Sequence, residues 1–153
     1  MPKLDLDAIP QTNATGYPQP HDAAVQGRWY RRLAPASGIT EFGASHVVLK
    51  PGAWSSQRHW HDSEDELLVM LSGEAVLVED CGKTVLTAGE VCAWPKGGTN
   101  GHHLINESSK DCCFLVVGGG KRTGGGYSDI DMVFTADAYS RRDGTPFDAR
   151  PAS

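Results

Sequence analysis

The sequence predicts an all-β domain, an antiparallel sandwich or barrel. Between Phe42 and Val117, short runs of β-branched, aromatic and other apolar residues recur at close, even spacing, with glycine, proline and aspartate turns between them. No stretch of this region holds the 3.6-residue apolar period of a helix. His59-Trp60-His61 reads as strand, and alternation on a strand sets both imidazoles on one face.

In chain order, residues 1–40 carry Pro2, Pro10, Pro18, Pro20 and Pro35 with little periodicity and read as an irregular arm packed over the domain or a neighbouring subunit. Residues 42–49 form the first strand and end at the Pro51-Gly52 turn. Residues 66–71 and 74–79 flank Ser72-Gly73 and read as a hairpin. Asp80 to Lys83 turn the chain into 84–87, Ala88-Gly89-Glu90 turns it into 91–94, and 112–117 closes the series. Residues 118–126, glycine at both ends around Lys121-Arg122-Thr123, read as a mobile loop. They are not a P-loop, because the first glycine of that pattern is missing and no Ser or Thr follows Lys121. Residues 127–153 read as a tail on the barrel exterior.

A chain of 153 residues is one domain by the usual size prior and can bury roughly 68–70% of its unfolded surface. Its net charge of −5, with basic residues only in scattered pairs, argues against nucleic acid or an anionic membrane as partner. No apolar run reaches the length of a membrane span, and Met1 to Asp7 lack a signal peptide's apolar core. The four cysteines form no CxxC pair and read as reduced thiols filling core. These features together lead us to expect a cytoplasmic protein.

The chemistry centres on four residues. His59 and His61 share a strand face, Glu66 follows five residues after His61, and His102 stands some forty residues on beside a second apolar run. Three imidazoles and a carboxylate are a donor set for a divalent metal. An isolated HxH pair is usually a polar strand face; Glu66, His102 and flanking glycines tilt this one toward a metal. Glu64 and Asp65 compete with Glu66, since a shift in the turn changes which carboxylate faces inward. His103 should point away from His102's side. Gln57 has the parity of His59 and His61. Gln57 and Glu64 are therefore the candidates for acid–base or orienting roles.

Gly52, His59, His61, Glu66 and Gly73, followed by Gly89, Pro95, Gly97, His102 and Asn106, resemble the two motifs of the cupin superfamily. The Gly52–His59 gap is one residue longer than usual, and Gly97–His102 exceeds the usual two-residue gap. Residues 74–88 separate the motifs. HWH-x-x-EDE, GHHLIN and a YxDID-type tail look most like the small single-domain bacterial cupins, over roughly residues 40–133. The resemblance implies a double-stranded β-helix, the jelly-roll barrel, with residues 1–40 as arm, 41–118 as barrel core and 119–153 as glycine-rich loop and tail. It also implies one divalent ion (Fe, Mn, Ni or Zn) on His59, His61, Glu66 and His102, with open positions for a small-molecule substrate or ligand, and a homodimer. The expected function is a metal-dependent enzyme on a small oxygen-rich molecule, a dioxygenase or a sugar or sugar-phosphate isomerase. The alternative is a non-enzymatic metal-containing cupin that binds or senses a small molecule.

Overall fold

A computed structural model describes residues 3–147; Pro2 and the end of the tail, 148–153, lie outside them. Twelve strands follow in order: β1 (Arg28–Arg32), β2 (Phe42–Leu49), β3 (His59–His61), β4 (Glu64–Ser72), β5 (Glu74–Glu79), β6 (Gly82–Thr87), β7 (Val91–Trp94), β8 (His103–Ile105), β9 (Cys112–Gly120), β10 (Gly124–Tyr127), β11 (Val133–Thr135) and β12 (Tyr139–Ser140). One wall is the antiparallel sheet β1-β2-β9-β4-β7. The other comprises β12-β11-β10-β3 and β6-β5-β8, joined through a bridge between His59 and His102. This is the expected jelly-roll sandwich.

The register of β4 explains the core and begins the site. Leu68 and Met70 are buried between the walls, and period-2 alternation puts Glu64 and Glu66 on that same inward face. Leu67 and Leu71 point outward. Val47, Leu49, Leu77, Leu104, Cys112 and Phe114 complete the main core. A second cluster, Tyr17, Val25, Tyr127, Met132 and Phe134, seals the end of the sandwich near β3.

Four expectations need correction. Ser72-Gly73 is not a hairpin: β4 pairs with β7 and β9, whereas β5 pairs with β6 and β8. Gly73, at φ 69°, turns the sandwich corner with its Cα side pressed on Asp111 and Cys112, where a Cβ would meet Asp111 O at 2.7 Å. The arm is not irregular throughout, because Arg28–Arg32 adds an edge strand to β2. The glycine segment is not a loop except at 121–123: it ends β9 and forms β10, which is buried and pairs with β3. Gly126 lies beneath the Trp60 indole, and Phe134 lies against Gly125, where a Cβ would meet its ring at 2.6 Å. Glycine is what lets two large rings cross this strand. Nor does the tail stay on the exterior, since buried Phe134 reaches the cavity.

The cysteines are free. Cys112 is core and Cys81 is exposed. Among the described residues no helix is long and apolar enough to cross a membrane.

Candidate metal centre

β3 pairs with β10 so that His61 stands opposite Gly125 and His59 opposite Tyr127, with Trp60 turned to the other face. The bridge to His102, closed by His59 N–H to His102 O (3.2 Å) and His102 N–H to His59 O (2.9 Å), brings the third imidazole alongside. β4 supplies Glu66 from the opposite wall. Three donors converge and the fourth joins through Glu66: His59 Nε2 to His61 Nε2 is 3.1 Å, His61 Nε2 to Glu66 Oε2 is 3.2 Å, and His102 Nε2 to Glu66 Oε1 is 3.3 Å. Bonds of about 2.1 Å meeting at right angles put neighbouring ligand atoms about 3 Å apart, so these separations fit one divalent ion. The mutually close set among the described residues is His59, His61 and Glu66, and His102 stands at its edge against Glu66.

Outer contacts set the tautomers. His59 Nδ1 donates to Gln57 O (2.9 Å) and stands 3.2 Å from Ser56 Oγ; His61 Nδ1 donates to Glu64 Oε2 (3.0 Å). Both rings therefore turn Nε2 inward. His102 has no partner at its buried Nδ1, and a flat stack on Trp94 (3.8 Å, 5°) holds it instead. Trp94 in turn donates Nε1–H to Glu79 Oε1 (2.9 Å).

The electrostatics differ ring by ring. Burial pushes His59 down to about 4. Burial also opposes charge on His61, but hydrogen bonds to Glu64 and Glu66 outweigh it and hold that ring up at about 9. Glu66 is buried, which alone would raise it, yet bonds from His102 and His61 hold it well below the carboxylate range. Its charge is engaged from two sides.

The structure brings His59, His61, Glu66 and His102 together. It separates the competitors: Asp65 is exposed and accepts Lys96 N–H (2.9 Å), while Glu64 touches the site through His61 alone and so orients that ring. His103 faces away, giving Nδ1–H to Ser56 O (2.9 Å) and its edge to Trp54. Gln57 does not face the cavity; its amide donates to His21 O (2.9 Å). Residues 55–58 are bent rather than extended, so the parity of β3 does not carry back to Gln57. Asn106 is structural: its Nδ2 donates to Leu49 O and Lys110 O and its Oδ1 accepts from Ser108. Sequence reasoning missed Trp94's role as a shelf and Phe134, whose ring stands 5.6 Å from that of His61. No local pattern points to either.

The donors open into a cavity of about 520 Å³ lined by the hydroxyl-bearing Tyr17, Tyr30, Ser45, Ser55, Ser56 and Tyr127. The cupin domain family matches residues 45–118. The crystal structure of a sugar phosphate isomerase of the cupin superfamily from Silicibacter pomeroyi superposes with a TM-score of 0.90, at 41% identity over 95% of this chain and 96% of that one. The polyketide cyclase RemF from Streptomyces resistomycificus shares the fold at TM-score 0.68, with 20% identity over 85% of this chain and 87% of that one. No curated protein matches this chain. The family match and the 41%-identical relative, covered along nearly the whole of both chains, show that the chain belongs to the cupin superfamily.

Proposed function

We propose that this protein is a metal-dependent isomerase of a small sugar or sugar phosphate. The observation that carries the reading is the cluster of His59, His61 and Glu66, joined by His102 through Glu66, in the lining of a hydroxyl-bearing cavity. The 41%-identical sugar phosphate isomerase from Silicibacter pomeroyi lends it support. His59, His61, Glu66 and His102 would hold one divalent ion of the Fe, Mn, Ni or Zn type, which when bound supplies Lewis-acid polarisation of two neighbouring substrate oxygens.

The chain's own groups do the positioning. Glu64 and the Gln57 carbonyl fix the rings of His61 and His59. Burial pushes the Tyr17 hydroxyl up to about 12 and raises Tyr127 as well, so both keep their protons at neutral pH; Tyr127 donates its own to Tyr17 Oη (3.4 Å), which leaves the Tyr17 hydroxyl as donor to a substrate oxygen. Phe134 and Tyr127 close the cavity beside the imidazoles and exclude water. A second reading, a binding or sensing cupin, draws on another observation: among the described residues, Glu66 is the sole carboxylate lining the cavity.

NMR of metal-loaded protein with aldose and ketose phosphates tests both. Interconversion that His61→Ala abolishes supports the isomerase. Tight binding without turnover points to the sensor, and substrate-dependent dioxygen uptake points to a dioxygenase.

A further inference from the structure

β1 sets Arg28, Tyr30 and Arg32 on one face, opposite Leu49, Val47 and Ser45 of β2. Leu49 and Val47 are core, so this is the inward face of the wall, and all three β1 side chains line the cavity that holds the donor cluster. Both guanidinium groups lie against the Tyr30 ring, at 5.2 and 5.9 Å from its centre. Arg28 is anchored by Nη1–H to Ser55 O (2.8 Å), yet its Nε is closed off from solvent without a hydrogen-bond partner. Leaving a buried donor of a charged group unpaired is costly.

Arg122 lines the same cavity. Among the described residues no carboxylate stands within ion-pair distance of Arg28, Arg32 or Arg122, although the Arg122 charge reaches Glu64 and helps the hydrogen bond from His61 hold that carboxyl below the ordinary range. In a chain of net charge −5, three guanidinium groups thus share a cavity whose sole lining carboxylate among the described residues, Glu66, is already engaged by His61 and His102.

The sheet register fixes the span. Arg32 is opposite Ser45, Ser45 opposite Val116, and Val116 opposite Leu68, two residues along β4 from Glu66. Three strand-to-strand steps make about 14 Å between backbones, with side chains reaching in from both ends. A chain of a few carbons bridges what is left.

We infer that Arg28 and Arg32, assisted by Arg122, bind a terminal oxyanion of the substrate, phosphate or carboxylate, while the other end of the substrate lies at His59, His61, Glu66 and His102. The inference rests on the metal-centred reading for that second end alone. A guanidinium fork matches the paired oxygens of either anion.

Calorimetry on the metal-loaded protein tests it, with ribose 5-phosphate, ribonate, ribose and inorganic phosphate as probes. The phosphate or the carboxylate sugar should bind at least tenfold more tightly than ribose, and whichever does so identifies the anion. Inorganic phosphate should compete with it. Arg28→Met and Arg32→Met should each weaken that ligand at least tenfold, leave ribose within twofold and leave the metal content unchanged. Arg32 is exposed at the cavity's edge, so its variant is expected to fold even if the Arg28 variant does not. An anion preference that survives the Arg32 substitution, or a wild type that does not prefer either anion over ribose, overturns the inference. Arg-dependent anion binding without isomerase turnover would sink the proposed reaction and leave this site standing. Undiminished turnover of a sugar phosphate in both variants would do the reverse.

Discussion

Glu64 acts on the centre through a single hydrogen bond to His61, and its worth is measurable. Glu64→Gln keeps the shape but weakens the hold on the ring, so affinity for a divalent ion should fall about 10–100-fold in competition with a chelating dye, with Tm little changed. His46 offers a pH test away from the cavity. Burial, with help from Arg31, lowers its pKa below the ordinary 6.5. As pH falls through 6.5 the unfolded chain takes up a proton that the folded chain resists, so stability present above 6.5 drains away down to the lower folded value. Urea unfolding at pH 7.5 and 5.5 should show a smaller loss in His46→Gln than in wild type. At this scale the sequence was informative where strand parity holds. His59, His61 and Glu66 could be placed because each lies on an extended run, and His103 could be set aside by the same rule. Gln57 could not be placed, since the bend at 55–58 breaks the alternation. The Trp94 stack escaped because parity says which face a ring takes, not whether it lies flat on a neighbour.

Among elements, β10 tests the account best. Its glycines are required by close approach: a Cβ on Gly125 would run into Trp60 O and meet the Phe134 ring at 2.6 Å. Gly125→Val should cost about 1–3 kcal/mol through overpacking. At about 2–4 °C per kcal/mol for a chain of this size, a melting curve resolves the loss. Metal affinity should fall with it, because β10 carries β3 and hence both histidines. Strands 42–49, 74–79 and 91–94 were legible to the residue, since turn residues bound them; burial alternates in 91–94 and at the end of 42–49, whereas 75–77 are buried throughout. β10 was illegible for the opposite reason: three glycines in a row have no side chains with which to show a period of two. The Ser72-Gly73 corner looked like a hairpin because a tight turn between apolar runs is the same in sequence whether the chain folds back or crosses to the other sheet.

For the whole molecule, the outer face of the five-stranded sheet bears on assembly. Leu67 is paired with Ala93 and Val117, and Val69 with Val91 and Leu115, so these side chains form one apolar surface. Leu67 is 40% exposed and Val91 57%. Two apolar residues of the arm are not available to a neighbour: Val25 is in the chain's own core and Tyr30 faces the cavity. We propose that the sheet face pairs two copies. Light scattering at micromolar concentration should give twice the 16.4 kDa chain mass, and Leu67→Glu should halve it. A single-chain mass for the wild type would contradict the pairing.

The jelly roll itself was legible in the run of short strands between turns, and the site in two histidine motifs that meet along one wall, facing Glu66 on the other. That meeting is the central claim, and elemental analysis of purified wild type, His61→Ala and His103→Ala addresses it most directly. His61 stands 3.1 Å from its neighbour ligand, whereas His103 spends its Nδ1–H on Ser56. One divalent ion per wild-type chain, lost in His61→Ala and kept in His103→Ala, is the predicted result. A wild type that takes up no metal, or a His103 variant that loses it while the His61 variant retains it, would contradict the account.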